Sequence, residues 1–158
     1  MKNIFTTLTI ILILSNLSCN SVDNSLKITE DQVKDTVGNF FASIEVGSEL
    51  NTNDYITDDF KIVELGGPYT LDEFWALIAE SQGDNITISR KWDLSNWSIS
   101  IDVNSAHVSY KNNGTFVTSI EGEEITTNPV WLESGYLVLE NDELKIKDEE
   151  LKNAQIDL

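Results

Sequence analysis

Ile86 to Val108 reads ITISRKWDLSNWSISIDVNSAHV, and its apolar residues recur at every second position. A period of two belongs to a strand with one buried face. Ile86, Ile88, Arg90, Trp92 and Leu94 share one parity, and Trp97, Ile99, Ile101 and Val103 share the opposite one. A slip of one residue would carry every side chain to the other face, so the change between Leu94 and Trp97 predicts a bulge within one long strand. Asn104-Ser105 then turns the chain, and Ala106, Val108 and Tyr110 open the next strand.

Strand character continues downstream. Asn112-Asn113-Gly114 is a turn candidate, and Phe116 to Ile120 resumes a strand. Glu121-Gly122-Glu123 turns again. Ile125 to Leu139 is a long apolar-rich segment interrupted by Pro129 and Gly135. Asn141-Asp142 is a tight turn, and Leu144 and Ile146 close a final hairpin. Upstream, the period is helical. Thr29-Glu30-Asp31-Gln32 is a capping-box pattern, and Val33, Val37, Phe40, Phe41 and Ile44 follow at helical spacing. This predicts a helix over 29–46, stopped at Gly47. The polar stretch 51–59 carries Tyr55 and predicts a short helical turn. Phe60, Ile62 and Val63 form a short strand closed by Gly66-Gly67-Pro68. Thr70-Leu71-Asp72-Glu73 caps a second helix over 70–81, ended before Gly83. Helices first and strands afterwards describe an α+β fold, with the N-terminal helices packed on one face of an antiparallel sheet.

Composition narrows the function. The chain has 158 residues, a length for one domain. Its 27 acidic and 10 basic side chains give a net charge of −17. That disfavours nucleic acid, whose phosphates need clustered Lys and Arg. A single cysteine, Cys19, rules out an internal disulfide and a thiolate-rich metal site.

Cys19 sits at the end of a leader. Met1-Lys2-Asn3 precedes the apolar run Ile4 to Leu14, which is too short to span a hydrocarbon core of about 30 Å at about 1.5 Å per residue. Leu17-Ser18-Cys19 resembles the cleavage site of a bacterial lipoprotein, with Asn16 in a position such signals usually fill with an apolar residue. The resemblance implies a signal peptide over 1–18 and a Cys19 carrying acyl chains such as palmitate. It also implies a tether over 19–28, and a membrane-anchored protein of the bacterial cell envelope. The domain proper is 29–150, with a C-terminal tail over 151–158. Lys2, Lys27 and Asp23 give residues 1–28 a net of +1, which leaves −18 for the rest. These dispersed acids read as a solubilising shell, and they disfavour docking onto anionic lipid by charge.

The order of elements resembles the nuclear transport factor 2-like superfamily, also called SnoaL-like. The residues that carry the resemblance are Phe40-Phe41-Ala42-Ser43-Ile44, Asp58-Asp59-Phe60 and the Gly-Gly before Thr70. Asp102 to Val108 looks like the turn between two central strands, and Ser134 to Leu139 with Glu143 to Ile146 looks like the closing hairpin. Leu144 stands where the family usually has Trp, and the family's common terminal His is absent. The resemblance implies a cone-shaped fold enclosing a pocket, often in a homodimer packed through the sheets. Its members include isomerases, dehydratases, epoxide hydrolases and non-catalytic binding or accessory domains.

No catalytic constellation stands out from the residues. His107 is the only histidine, and it shares a strand face with Ser105, Ser109 and Lys111, so it reads as a surface residue. Asp93 and Asp102 fall opposite the apolar residues of their strands. Asp58-Asp59 and Asp148-Glu149-Glu150 read as solvated charge runs. No metal or cofactor motif is present. Arg90, the only arginine, lies on the apolar face of its strand. Facing inward it would seek a carboxylate or an anionic ligand; the excess of acids favours the rim instead, paired with an acid or stacked on Trp92. Tyr55, Trp75, Trp92, Trp97, Tyr110, Trp131 and Tyr136 are the other candidates for a pocket lining, with core or dimer contact the ordinary role of most. The resulting expectation is a lipid-anchored, non-catalytic module binding a small hydrophobic ligand. The alternatives are an isomerase- or dehydratase-type enzyme, which requires an inward carboxylate, and a structural partner acting through an apolar sheet face.

Overall fold

A computed structural model describes residues 27–64 and 67–157, with side chains as far as residue 150. Cys19 and the leader lie outside the described residues. Helix α1 spans Glu30–Ser43, and a single 3-10 turn spans Thr52–Asp54. Strand β1 spans Ile56–Glu64, β2 spans Gly67–Tyr69, and helix α2 spans Leu71–Gln82. Four long strands follow: β3 Ile86–Ile101, β4 Ser105–Ile120, β5 Glu123–Glu140 and β6 Glu143–Asp157.

Both helices start where their hydroxyls predict. Thr29 Oγ1 accepts from Gln32 N at 3.2 Å, while Thr29 N donates to Gln32 Oε1 at 2.9 Å. Thr70 and Glu73 repeat the arrangement at 3.2 and 2.8 Å. Each pair satisfies amides that the first helical turn leaves without partners. Helix α1 stops at Ser43, short of the predicted 46, and Arg90 Nη1 donates to the carbonyl of its C-cap, Ile44. Its stripe of Val33, Val37, Phe40 and Phe41 is buried against Ala106, Val108, Leu137 and Ile146 of the sheet.

The six strands run in the order β2-β1-β6-β5-β4-β3. Every neighbouring pair is antiparallel except β1 and β6, which are parallel. The hairpin turns at Glu121-Gly122 and Asn141-Asp142 each hold two residues at positive φ, as two-residue connections between twisted strands require. The expected bulge lies between Ser95 and Ser98, with Asn96 at φ 55.

Four local expectations are corrected. Asn112-Asn113-Gly114 is not a turn but the middle of β4. Asn112 is fully buried there, and the glycine answers to side-chain volume: a Cβ on Gly114 would lie 2.9 Å from Trp131 Cζ3 and 3.1 Å from Phe116 Cε1. A second bulge, between Thr87 and Ser89, exposes Ile86 and Ile88 at 67% and 43% and turns Thr87 inward. Strand β1 begins at Ile56, inside the stretch read as a polar helical turn, because Ile56 pairs with Ile146. Strand β6 runs past 150, and residues 151 and 152 pair with Glu133 and Leu132 of β5.

Candidate functional site

Helix α1, helix α2 and the concave sheet face enclose a cavity of about 150 Å³. Helix α2 contributes Leu71, Phe74, Trp75 and Ile78, its whole apolar stripe, yet none of its residues is fully buried. The stripe faces the cavity, with Leu71 and Phe74 also packed against the edge of the core. Opposite it, Trp92, Phe116 and Trp131 come from neighbouring strands with centroids 5.0 to 5.8 Å apart. The walls are therefore aromatic, and a space of this size in an apolar wall accommodates a single benzene-sized ring.

Two carboxyl groups break the apolar lining. Along β5 the inward parity carries Trp131, Glu133, Gly135 and Leu137, so Glu133 faces the cavity and is only 3% exposed. On β6 the pairing shifts between Leu137↔Ile146 and Tyr136↔Asp148, which leaves Lys147 as an extra residue. That bulge reverses the parity after Ile146 and swings Glu149 inward, 2% exposed. Reading Asp148-Glu149-Glu150 as a solvated run is thus overturned for Glu149. Gly135 makes the room, because a Cβ there would lie 2.9 Å from Glu149 Oε2.

Each carboxyl has one partnered oxygen. Tyr110 Oη donates to Glu149 Oε1 at 2.6 Å, and Asn112 Nδ2 donates to Glu133 Oε1 at 3.0 Å. Glu133 Oε2, Glu149 Oε2 and the Trp92 Nε1–H are buried without a partner. Burial penalises the charged form of both acids. It pushes Glu133 from 4.5 to about 7 against the pull of the Asn112 hydrogen bond. Glu149 is pushed well above its ordinary value, by burial first and by the neighbouring Glu133 charge second. Burial and the two carboxylates also raise the Tyr110 phenol. Glu64, at the cavity edge, is raised by burial.

Arg90 lines the cavity and is half-buried. Its guanidinium lies 4.5 Å from the centroid of Trp75, not on Trp92, and Nη1 donates to Ile44 O at 3.1 Å. Helix α1 has no basic residue in its last turn, so Arg90 serves its carbonyl end from across the cavity. Trp75, Trp92 and Trp131 line the cavity with it. Tyr110 sits behind the wall, holding Glu149 and packing on Trp97 at 4.9 Å. Tyr55 is elsewhere, in a groove with Asp35, Asp54 and Leu144. Tyr136 lies on the convex face, stacked on exposed His107 at 4.6 Å. That convex face carries Ser98, Ser100, Ser109 and Ser134 around the stack. Asp93 and Asp102 are exposed. Among the described residues no group of three or more His, Cys, Asp or Glu could hold a metal ion.

Glu133 had a signal in the sequence: an acid at the parity of Trp131 and Leu137 in an apolar strand. Glu149 had none, because a bulge decides its face. Together they form a buried carboxyl pair at an aromatic cavity with unfilled hydrogen-bonding positions. Glu133, raised to about 7, can give and take a proton near neutral pH, while burial favours the neutral form of Glu149.

No family model matches the chain, and no curated protein matches it. Solved structures do. A nuclear transport factor 2-like protein of unknown function from Prochlorococcus marinus is 14% identical, with 82% of this chain and 97% of that one covered at a TM-score of 0.56. A protein assigned as a scytalone dehydratase, from Novosphingobium aromaticivorans, is 11% identical over 80% and 85% of the two chains, at 0.62. One assigned as a ketosteroid isomerase, from Shewanella frigidimarina, is 18% identical over 78% and 96%, at 0.55. The chain has the cone-shaped nuclear transport factor 2-like fold.

Proposed function

We propose that the cone binds a small, ring-sized, largely apolar molecule and moves a proton on it, as an isomerase or dehydratase does. One observation carries this reading: Glu133 and Glu149 each present an unpartnered buried oxygen in an aromatic cavity. The inward carboxylate that an enzyme requires is present twice. Glu133, at about 7, is divided near neutrality between base and acid, which suits a group that takes a proton and returns it. Glu149 is held protonated by burial and donates from Oε2 to an oxygen of the bound molecule. The Trp92 Nε1–H is a second donor in the same lining. A ketone or alcohol oxygen held by these donors makes the adjacent C–H more acidic, and Glu133 Oε2 removes its proton.

The probe is acetophenone in deuterated buffer, with methyl exchange followed by proton NMR. The protein accelerates exchange, and Glu133→Gln loses that acceleration by about a hundredfold or more. Saturable binding with no accelerated exchange would favour the non-catalytic reading, in which the same cavity retains its ligand.

The domain works, on this proposal, tethered to a bacterial envelope membrane through acyl chains on Cys19. The support is the apolar leader ending in Leu17-Ser18-Cys19. More than one chain is needed for stable anchoring. Cys19→Ala then leaves the membrane fraction and loses the acyl mass; a mutant still bound to membrane would refute the anchor.

A further inference from the structure

Arg90 is a charge without a counter-charge. The chain has 27 acids, and three of its lysines pair with them: Lys34 with Glu30, Lys145 with Glu140 and Lys147 with Asp59. Arg90 forms no ion pair among the described residues, although Glu64, Glu133 and Glu149 line the same cavity. Its single hydrogen bond there goes to a neutral carbonyl, Ile44 O, and one face lies on Trp75. A guanidinium carries five N–H donors in a planar fork, and only one of them is used in a hydrogen bond to the described residues. An unneutralised cation in an apolar wall is costly, and its natural complement is an anion that arrives with the ligand. The carboxyls that line the cavity do not fill that role, since none of them stands within ion-pair distance of Arg90 among the described residues.

The geometry points to a ligand that is a small organic acid: a ring-sized apolar body with a carboxylate held by the Arg90 fork. This deepens the proposed function and rests on its reading of the cavity as the binding site. A carboxylate presents two oxygens that match two parallel N–H groups, and it is the smallest such anion to fit beside a ring in this space, a match that a lone ammonium would not select. The aromatic walls then take the ring, and the far side of the ring meets the Glu133 and Glu149 oxygens. The ligand therefore bears its charge at one end and its exchangeable proton at the other.

The test compares phenylacetate with its neutral isostere phenylacetamide, using the purified full-length protein. Quenching of tryptophan fluorescence reports binding, because Trp75, Trp92 and Trp131 line the cavity. Wild-type protein binds phenylacetate more than about tenfold tighter than the amide, the margin of a charge-assisted hydrogen bond. Arg90→Gln brings phenylacetate down to the amide's affinity and leaves the amide within about twofold. Arg90→Lys keeps the charge without the fork and falls between them. Equal affinities in the wild type, a comparison that needs no variant to fold, would overturn the inference. They would leave the cavity reading intact and Arg90 as a helix cap. A preference unchanged in Arg90→Gln would overturn it as well. Failure of both probes to quench would overturn the inference and the cavity reading together.

Discussion

Replacing Glu133 with glutamine removes a titrating group while keeping its shape and an oxygen to accept from Asn112 Nδ2. The native carboxyl titrates at about 7, against 4.5 ordinarily. Between those values the folded protein holds a proton that the unfolded chain has released. Stability from this group is therefore complete below about pH 4.5, falls as pH rises toward 7, and is level above. At about 1.4 kcal/mol per unit, the interval is worth about 3 kcal/mol. Wild type and Glu133→Gln are thus of similar stability near pH 4.5, and the variant is more stable by up to about 3 kcal/mol at pH 8. The assay is urea unfolding at pH steps across this window, followed by tryptophan fluorescence. Subtracting the two curves cancels acids far from the site. Parallel curves, with a difference constant to about 0.5 kcal/mol, would refute the burial argument and with it the base assigned to Glu133.

Tyr110→Phe leaves Glu149 Oε1 buried without its donor, and lowers unfolding free energy in urea by about 1–3 kcal/mol. Gly114→Ala drives a methyl into Trp131 and Phe116; it costs about 1–3 kcal/mol and weakens quenching by the cavity probes, because two walls must shift. Thr29→Ala removes the cap of α1 and costs about 1 kcal/mol, measured the same way, with the cavity probes unaffected.

The fold was legible where local chemistry and long-range packing agree. Two capping boxes located both helices to within a residue at their starts, since an orphan amide needs a nearby acceptor whatever the tertiary context. The bulge at Ser95–Ser98 showed as a parity change, because apolar residues flank it on both sides. The bulge at Lys147 did not show, because three acids follow it and only Leu151, beyond them, takes up the new apolar register. That one hidden residue concealed Glu149. Gly114 misled for a related reason: Asn-Asn-Gly is turn chemistry, but the ring of Trp131, seventeen positions away, needed the space. The cavity walls at Trp75, Trp92 and Trp131 were nameable as aromatics. Which tyrosines joined them depended on strand parity and on distant partners, and Tyr55 and Tyr136 went elsewhere.

The parallel pairing of β1 with β6 sets the order in which the molecule is made. Strand β1 ends at Glu64, and among the described residues its only partner besides the three-residue β2 is β6, reached some eighty residues later. Tyr55 O likewise waits for Ile146 N, at 2.9 Å. Contacts this distant in sequence must pay loop closure before they return any stability, so folding of the N-terminal half is slow and depends on the last strand. Glu149 is on that strand. The carboxyl pair is therefore assembled last, and a chain still emerging, or cut short before residue 143, holds neither the complete sheet nor a site.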